Sequence, residues 1–344
     1  MNFKHGWINL TRACNLRCKW CYARDTKYHE CDTMDVKTVC HIIDIAVLLN
    51  LRHVTLIGGE PTVYPRLFEV LSYAKEKGIN CSFVSNGVRY NDIEYVKNLY
   101  ELGMNRFSIS IKGFDKASFK DVAQFDEFDN VINGIKNCLS VGGVVIAFLV
   151  LTKENVSSYI DLVSYLVSIG VTRFHIGFLY NFNSSPEYTD YLDETRPDLV
   201  IKSFKESYPK LLELTQGKVK ISPTFPSCAW GEDFINLLNK NDNLSGSCQL
   251  REKNGLIFDT DGSVIPCNAM HEIKMGRLYS DFNNANELVN YYENENVKKI
   301  YEHYGKMPSE RCNSCSSLEL CRCCACQWTN YSLEMLLDYI NKRG

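Results

Sequence analysis

Near the start of the chain three cysteines, Cys14, Cys18 and Cys21, share the short run CNLRCKWCY. Deprotonated thiols ligate zinc and the irons of iron–sulfur clusters, and both a structural zinc ion and a cubane [4Fe-4S] cluster ordinarily take four protein ligands. CxxxCxxC supplies three from one loop. Either a cubane keeps one iron open to a small molecule, or a zinc ion is completed by a distant residue such as His29. A second group stands at the far end, in CNSCSSLELCRCCAC, where Cys312 and Cys315 form a CxxC pair and Cys321, Cys323, Cys324 and Cys326 follow. Upstream lie Cys228, Cys248 and Cys267, the last closing a GxxxxC unit that begins at Gly262.

Composition narrows the setting for this chemistry. The chain has 344 residues, 45% of them hydrophobic, enough for one large core and a smaller satellite. Lys and Arg total 38 against 41 Asp and Glu, a net charge of −3 with no basic block, which argues against a nucleic-acid partner. No apolar run approaches the ~18 residues of a membrane span, and MNFKHGWINLTRAC lacks a signal-peptide core, so a cytoplasmic protein without a membrane partner is expected. Disulfides do not persist in a reducing cytoplasm, and metal binding is the better account of 16 cysteines. Cys31, Cys40, Cys81 and Cys138 are dispersed and read as small buried hydrophobes.

The elements that must position the first three thiols repeat from Trp7 to about residue 180. Each unit is a short β-rich run, a loop, an amphipathic stretch and a glycine. WINL, HVTLI, INCSFVS, RFSISI, VVIAFLVL and RFHIGFLY read as six strands, with helices between them, and Gly78, Gly103, Gly142 and Gly170 close helices ahead of the next strand. In the first helix Val36, Val39, Ile43 and Val47 share a face. Such alternation implies an α/β fold with a parallel sheet and right-handed crossovers, as a barrel-like array or an open doubly wound sheet. Ligands bind at the carboxyl ends of the strands in either one. The cysteines follow strand one there, GGEP (Gly58, Gly59, Glu60, Pro61) strand two, and SNG strand three, with Ser110 closing strand four and Asn155 just past strand five. Beyond Tyr180 the rhythm is expected to fail: a loop, a helical stretch LVIKSFKESYPKLLELTQG and the Pro-rich SPTFPSCAWGED follow. A boundary near residue 225 divides the chain into 1–225 and 226–344, the latter with nine of the cysteines.

CNLRCKWCY together with GGEP after the second strand resembles the radical S-adenosylmethionine (SAM) superfamily, over residues ~7 to ~180. That resemblance implies a partial (β/α)6 TIM-like barrel followed by a small cysteine-rich domain. It implies a [4Fe-4S] cluster on Cys14, Cys18 and Cys21, whose fourth iron is chelated by the amino and carboxylate groups of SAM. The reduced cluster then cleaves SAM, and a 5′-deoxyadenosyl radical abstracts hydrogen from substrate, with the electron drawn from a donor such as flavodoxin or ferredoxin. Gly58 and Gly59 are expected to let the backbone approach the methionyl end, Glu60 to accept from its ammonium and Pro61 to stiffen the turn. Trp20 packs near the cluster or the adenine, or serves as an ordinary core aromatic. Ser85, Asn86, Ser110 and Asn155 match positions that contact the carboxylate or ribose of SAM, against the alternative of loop capping. Two departures stand out. SIKG places Lys112 where relatives carry an acid, and Val122 stands where an arginine often follows, so carboxylate binding through Lys120 is an alternative.

The second cysteine field resembles SPASM and twitch auxiliary-cluster domains. It implies one or two auxiliary [4Fe-4S] clusters: Cys248, Cys267 and Cys324 for the first, short of one ligand unless Cys228 supplies it, and Cys312, Cys315, Cys321 and Cys326 for the second. Cys323 is spare in that allocation. A single cluster on Cys248, Cys267, Cys312 and Cys315 is the twitch-like alternative, and a Cys₄ zinc ribbon the plainer one. In related anaerobic sulfatase-maturating enzymes an aspartate follows the GxxxxC cysteine as a proposed base; Asn268 stands here and cannot accept that proton. The function expected is therefore oxidative cross-linking or modification of a peptide, with no catalytic side chain assigned. Dehydrogenation of a small alcohol or sugar is the enzymatic alternative, and a non-catalytic zinc-binding interaction protein the alternative from another class.

Overall fold

The computed structural model describes residues 2–21, 32–179, 192–193, 195–307, 309–322 and 330–343. Its framework is a run of parallel β/α units. Strand β1 (His5–Thr11) pairs with β2 (His53–Gly58), and β2 with β3 (Asn80–Ser82). After Phe83 the chain resumes as β4 (Val84–Ser85) in a second sheet, ordered β4, β5 (Arg106–Ile111), β6 (Val144–Leu151) and β7 (Arg173–Phe178), all parallel. The stretch expected as one strand, INCSFVS, is thus two segments that hand the chain from one sheet to the other.

Helices α1 (Val36–Leu48), α2 (Leu67–Glu76), α3 (Ile93–Glu101), α4 (Lys116–Ala123), α5 (Phe128–Ser140) and α6 (Tyr159–Ser168) lie between these strands. Local chemistry sets their ends. The Asp35 carboxylate accepts from the Thr38 N–H at the start of α1, whose Val39, Ile42, Ile43, Ile45 and Ala46 are buried. Glycines 78, 103, 142 and 170 take positive φ at the turns into the next strands, as their placement predicts. Alternation along β6 separates two environments: Val145, Ala147, Leu149 and Leu151 are buried, while Ile146, Phe148 and Val150 on the opposite face are half-buried.

Two features differ from the sequence expectation. The rhythm continues past Tyr180, because α7 (Pro197–Thr215) leads into β8 (Val219–Ser222), which is parallel to β7. Val219–Ser222 alternates apolar and polar residues, but four residues are too short a run to announce a strand. The C-terminal part also joins the first sheet directly: β9 (Gly255–Phe258) is parallel to β1, and β10 (Ser263–Ile265) and β11 (Gly276–Arg277) follow antiparallel. Packing is continuous across residue 225. Trp230, in the short helix α8 (Ser227–Trp230), lies 4.8 Å from Phe178 and 6.2 Å from Phe225, ring centre to ring centre. Helices α9 (Glu232–Lys240), α10 (Gln249–Glu252), α11 (Ala285–Tyr291), α12 (Glu295–Tyr304) and α13 (Asn330–Arg343) complete the described chain. Among the described residues no helix is long and apolar enough to cross a membrane.

Candidate functional site

At the carboxyl end of β1 and β2 two loops meet backbone to backbone. The Gly59 N–H donates to the Thr11 carbonyl (2.7 Å) and the Glu60 N–H to the Ala13 carbonyl (2.9 Å). Gly58 has φ +140°, and a Cβ there would stand 2.1 Å from the Thr11 oxygen; on Gly59 it would stand 2.2 Å from the Ala13 oxygen. No side chain fits either gap. The space a Cβ would fill on either glycine is taken by the loop leading to Cys14, so glycine here lets GGEP clamp the cysteine loop.

Glu60 ties that clamp to the next strand end. Only 2% exposed, its Oε1 accepts from the Thr62 N–H (3.2 Å), the Thr62 hydroxyl (2.7 Å) and the Ser85 hydroxyl (2.7 Å), and Oε2 from the Asn86 N–H (2.7 Å). Burial raises its carboxyl above the ordinary value, and these donors work against that rise. Expected as an acceptor for an ammonium, the carboxylate already binds four donors of its own chain. Pro61 is buried and opens a single 3₁₀ turn over Pro61–Val63, where its missing N–H costs nothing. Ser85 is fully buried and accepts from the Gly87 N–H (3.0 Å), so its hydroxyl serves the clamp. Asn86 reaches the cysteine loop, its Nδ2 donating to Asn15 Oδ1 (2.7 Å) and lying 4.0 Å from the Cys14 sulfur.

The far side of the cysteine loop rests on α4, a helix with no counterpart in the sequence reading. The Arg17 N–H donates to the Ala123 carbonyl and the Lys19 N–H to the Val122 carbonyl, both at 3.0 Å. Gly113 seats that helix, since a Cβ there would come 2.2 Å from the Phe119 nitrogen. Position 122, where an arginine is common, therefore contributes its carbonyl. Lys112 Nζ donates to the Ser110 hydroxyl (2.6 Å) and its charge bears on Cys18. Lys120 is exposed on α4. Asn155 caps its own turn: Oδ1 accepts from the Thr152 N–H (2.8 Å) and Nδ2 donates to the Val150 carbonyl (3.0 Å). Its turn borders a small pocket that Lys112, Phe114, Val150 and Tyr159 also line. Trp20 is half-buried.

The three thiols lie within reach of one another's charge. Burial pushes Cys14 up to about 11 and raises Cys18, and negative charge on the neighbouring thiols and Glu60 adds to both, while Lys112 lowers Cys18. Thiols in that environment give up their protons to a cation that replaces them, which suits a metal-ligand set. Among the described residues no three His, Cys, Asp or Glu side chains converge closely enough for a single metal ion. Ligands reaching separate corners of a cubane need not converge so closely, and the donor set fits a cluster.

The C-terminal cysteines fall into two neighbourhoods. Burial pushes Cys267 up to about 11, with Cys248 among the adding charges. This pair is fastened to the barrel by residues the motif reading missed. Asn9 Nδ2 donates to Asn268 Oδ1 (3.0 Å) and to the Phe258 carbonyl (3.1 Å), and Arg12 pairs with Asp259, each side chain 1% exposed. Lys274 adds a second cation to Asp259 at 2.7 Å. Only the spacing of Arg12 before Cys14 and of Asp259 before GxxxxC hints at this in the sequence. The second neighbourhood contains Cys312, Cys315, Cys321 and Cys228, whose thiol feels the charge of the other three. Cys228 was expected, if used, beside Cys248 and Cys267; it stands with the other set. Cys324 and Cys326, like Cys323, Cys31 and His29, lie outside the described residues.

Residues 8–166 match the family described as Radical SAM superfamily. A probable GTP 3′,8-cyclase of Sulfurisphaera tokodaii is 26% identical over 216 residues, which is 62% of this chain and 65%, just under two thirds, of that relative. Among solved structures, Streptococcus suis SuiB bound to precursor peptide SuiA aligns with TM-score 0.69 at 17% identity, covering 94% of this chain and 72% of SuiB. Native anSMEcpe with bound AdoMet and Kp18Cys peptide aligns with TM-score 0.69 at 16% identity, covering 98% of this chain and 97% of its own. At such identities the likeness establishes the fold.

Proposed function

From the premise that this chain belongs to the radical SAM superfamily and is an enzyme, we propose that it modifies a peptide by oxidative cross-linking, using a SAM-binding cluster at the barrel end and auxiliary iron–sulfur chemistry in the C-terminal part. The premise sets aside a non-catalytic zinc-binding scaffold. Cys14, Cys18 and Cys21 would hold the [4Fe-4S] cluster, and SAM bound to it would supply a hydrogen-abstracting carbon radical when an electron arrives from a flavodoxin- or ferredoxin-like donor.

The chain's own residues set the conditions for that chemistry. The clamp of Gly58, Gly59 and Glu60 fixes the cysteine loop from one side, and α4 fixes it from the other. Lys112 keeps a positive charge beside Cys18 and Ser110, placed to meet a carboxylate. The half-buried face of β6, with Ile146, Phe148 and Val150, offers an apolar wall for substrate. Asn268 is tied to Asn9 and has no proton-accepting carboxylate, so oxidation of a serine or cysteine side chain to formylglycine is disfavoured.

One observation carries the reading: the likeness to the two peptide-bound enzymes runs over 94% and 98% of this chain. A nucleotide substrate is the second reading, favoured by the relative named as a probable GTP 3′,8-cyclase, whose match covers 62% of the chain. Incubating reduced protein with SAM and either GTP or candidate precursor peptides separates them. The peptide reading expects 5′-deoxyadenosine together with loss of two hydrogens from a peptide; 5′-deoxyadenosine formed with GTP and an unchanged peptide mass overturns it.

A further inference from the structure

Helix α8 presents one thiol and buries everything around it. Ser227, Ala229 and Trp230 are 3%, 7% and 0% exposed, whereas Cys228 is exposed. The turn cannot roll, because Trp230 is set among Phe178, Phe204, Phe225 and Phe234. The direction of the Cys228 side chain is therefore fixed by the aromatic core of the barrel, which makes it a positioned group.

The motif CNSCSSLELC lies beside this part of the chain. Residues Glu310–Ser314 and Leu318–Leu320 form two 3₁₀ turns, and the backbone bonds Cys315 N–H to Cys312 O (3.2 Å) and Cys321 N–H to Leu318 O (3.1 Å) bring their cysteines to the turn ends. Two contacts dock this stretch beside α8. The Ser316 hydroxyl donates to Glu232 Oε1 (3.1 Å), four residues after Cys228, and Arg251 Nη2 donates to the Cys321 carbonyl (3.0 Å). α9 packs against the 318–320 turn, and α8 against α13. The charges of Cys321, Cys312 and Cys315 all reach the Cys228 thiol.

We propose that Cys228 is the fourth thiolate of the auxiliary cluster held by Cys312, Cys315 and Cys321, contributed from upstream of the motif and from the barrel side of the molecule. This rests on the reading that the C-terminal part carries auxiliary clusters. Loading replaces the thiol protons with iron. With every corner taken by the protein, this cluster has no iron open to substrate, and its role is electron transfer. It also ties the cysteine motif to the aromatic core, adding to the docking contacts of Ser316 and Arg251.

The test uses the full chain with Cys14, Cys18 and Cys21 changed to Ala, reconstituted anaerobically with ferrous iron and sulfide, so that only auxiliary clusters remain. Adding Cys228→Ala is expected to remove about four irons per chain, and Cys228→Ser to alter the cluster's EPR spectrum, with the melting profile of the barrel unchanged because the side chain is exposed. Cys40→Ala, in α1, serves as the control and leaves the count as it was. An iron count and spectrum unaffected by either Cys228 variant overturns the inference alone. Absence of iron from the triple variant before Cys228 is touched overturns the inference together with the auxiliary-cluster reading.

Discussion

The loop bearing Cys14, Cys18 and Cys21 and the stretch bearing Cys312, Cys315 and Cys321 hold similar thiols by different means. Strand ends grip the first: GGEP and α4 bind its backbone on two sides, and Glu60 locks the grip to Ser85 and Asn86. Two 3₁₀ turns and a few side-chain contacts shape the second, with Glu310, Arg311 and Ser314 near the surface. A loop preformed by its scaffold can lack a ligand and still keep its shape, which is what a site with an open iron demands. A loop without that scaffold depends on its ligands, and there metal binding is itself folding energy.

Breaking the tie between the strand that leads to Cys14 and the strand that leads to Cys267 gives the largest effect. Arg12→Ala removes the buried guanidinium that faces the Asp259 carboxylate, and removing one partner of a buried ion pair costs about 3–5 kcal/mol. Denaturant unfolding is expected to show that loss, and iron loading at both ends should fall together; loss at one end only would mean the regions are independent. Gly59→Ala attacks the grip itself. A methyl 2.2 Å from the Ala13 carbonyl forces the loops apart, at about 3 kcal/mol, and should remove iron from the N-terminal site while auxiliary iron stays. Equal loss from both would erase the distinction.

A smaller effect separates barrel stability from either cysteine region. His175, stacked near Phe148 and bonded to Ser222 at 2.8 Å, is lowered from 6.5 to about 4 by burial. The unfolded chain takes up this proton first, so its contribution is complete above pH 6.5 and is lost as pH falls toward 4, by up to about 3 kcal/mol. Unfolding measured from pH 7 to 4 should show that slope, and His175→Gln should flatten it; an unchanged slope assigns it elsewhere. Smallest is Lys19→Ala, which removes an exposed pair with Asp121 and should cost under about 1 kcal/mol while iron loading persists, since the backbone bond to Val122 remains. Loss of iron in that variant would move the grip from backbone to side chains.

The same contrast explains what the sequence made legible. Apart from α4 and the break between β3 and β4, helices and strands to residue 178 follow from periodicity and glycine placement, which are local, and the rim motifs follow from where strands end. The clamp made by Gly58 and Gly59 did not, because it depends on residues 11–13 lying across the gap. Nor did the capping role of Asn155 declare itself against ligand binding, since the same amide serves both. Strand β9 beside β1, the Arg12–Asp259 pair and the placement of Cys228 each join residues more than eighty positions apart. Spacing along a chain carries no record of such pairings, which is why it left the place of Cys228 open.

The central claim is that the polypeptide occupies three corners of the N-terminal cubane and leaves the fourth to SAM. Electron–nuclear double resonance on the reduced protein, with SAM labelled with nitrogen-15 at its amino group, tests it. A hyperfine coupling from that nitrogen to a cluster, absent from the Cys14/Cys18/Cys21→Ala protein, is the predicted result. A reduced N-terminal cluster whose spectrum is unmoved by SAM and carries no such coupling would contradict it.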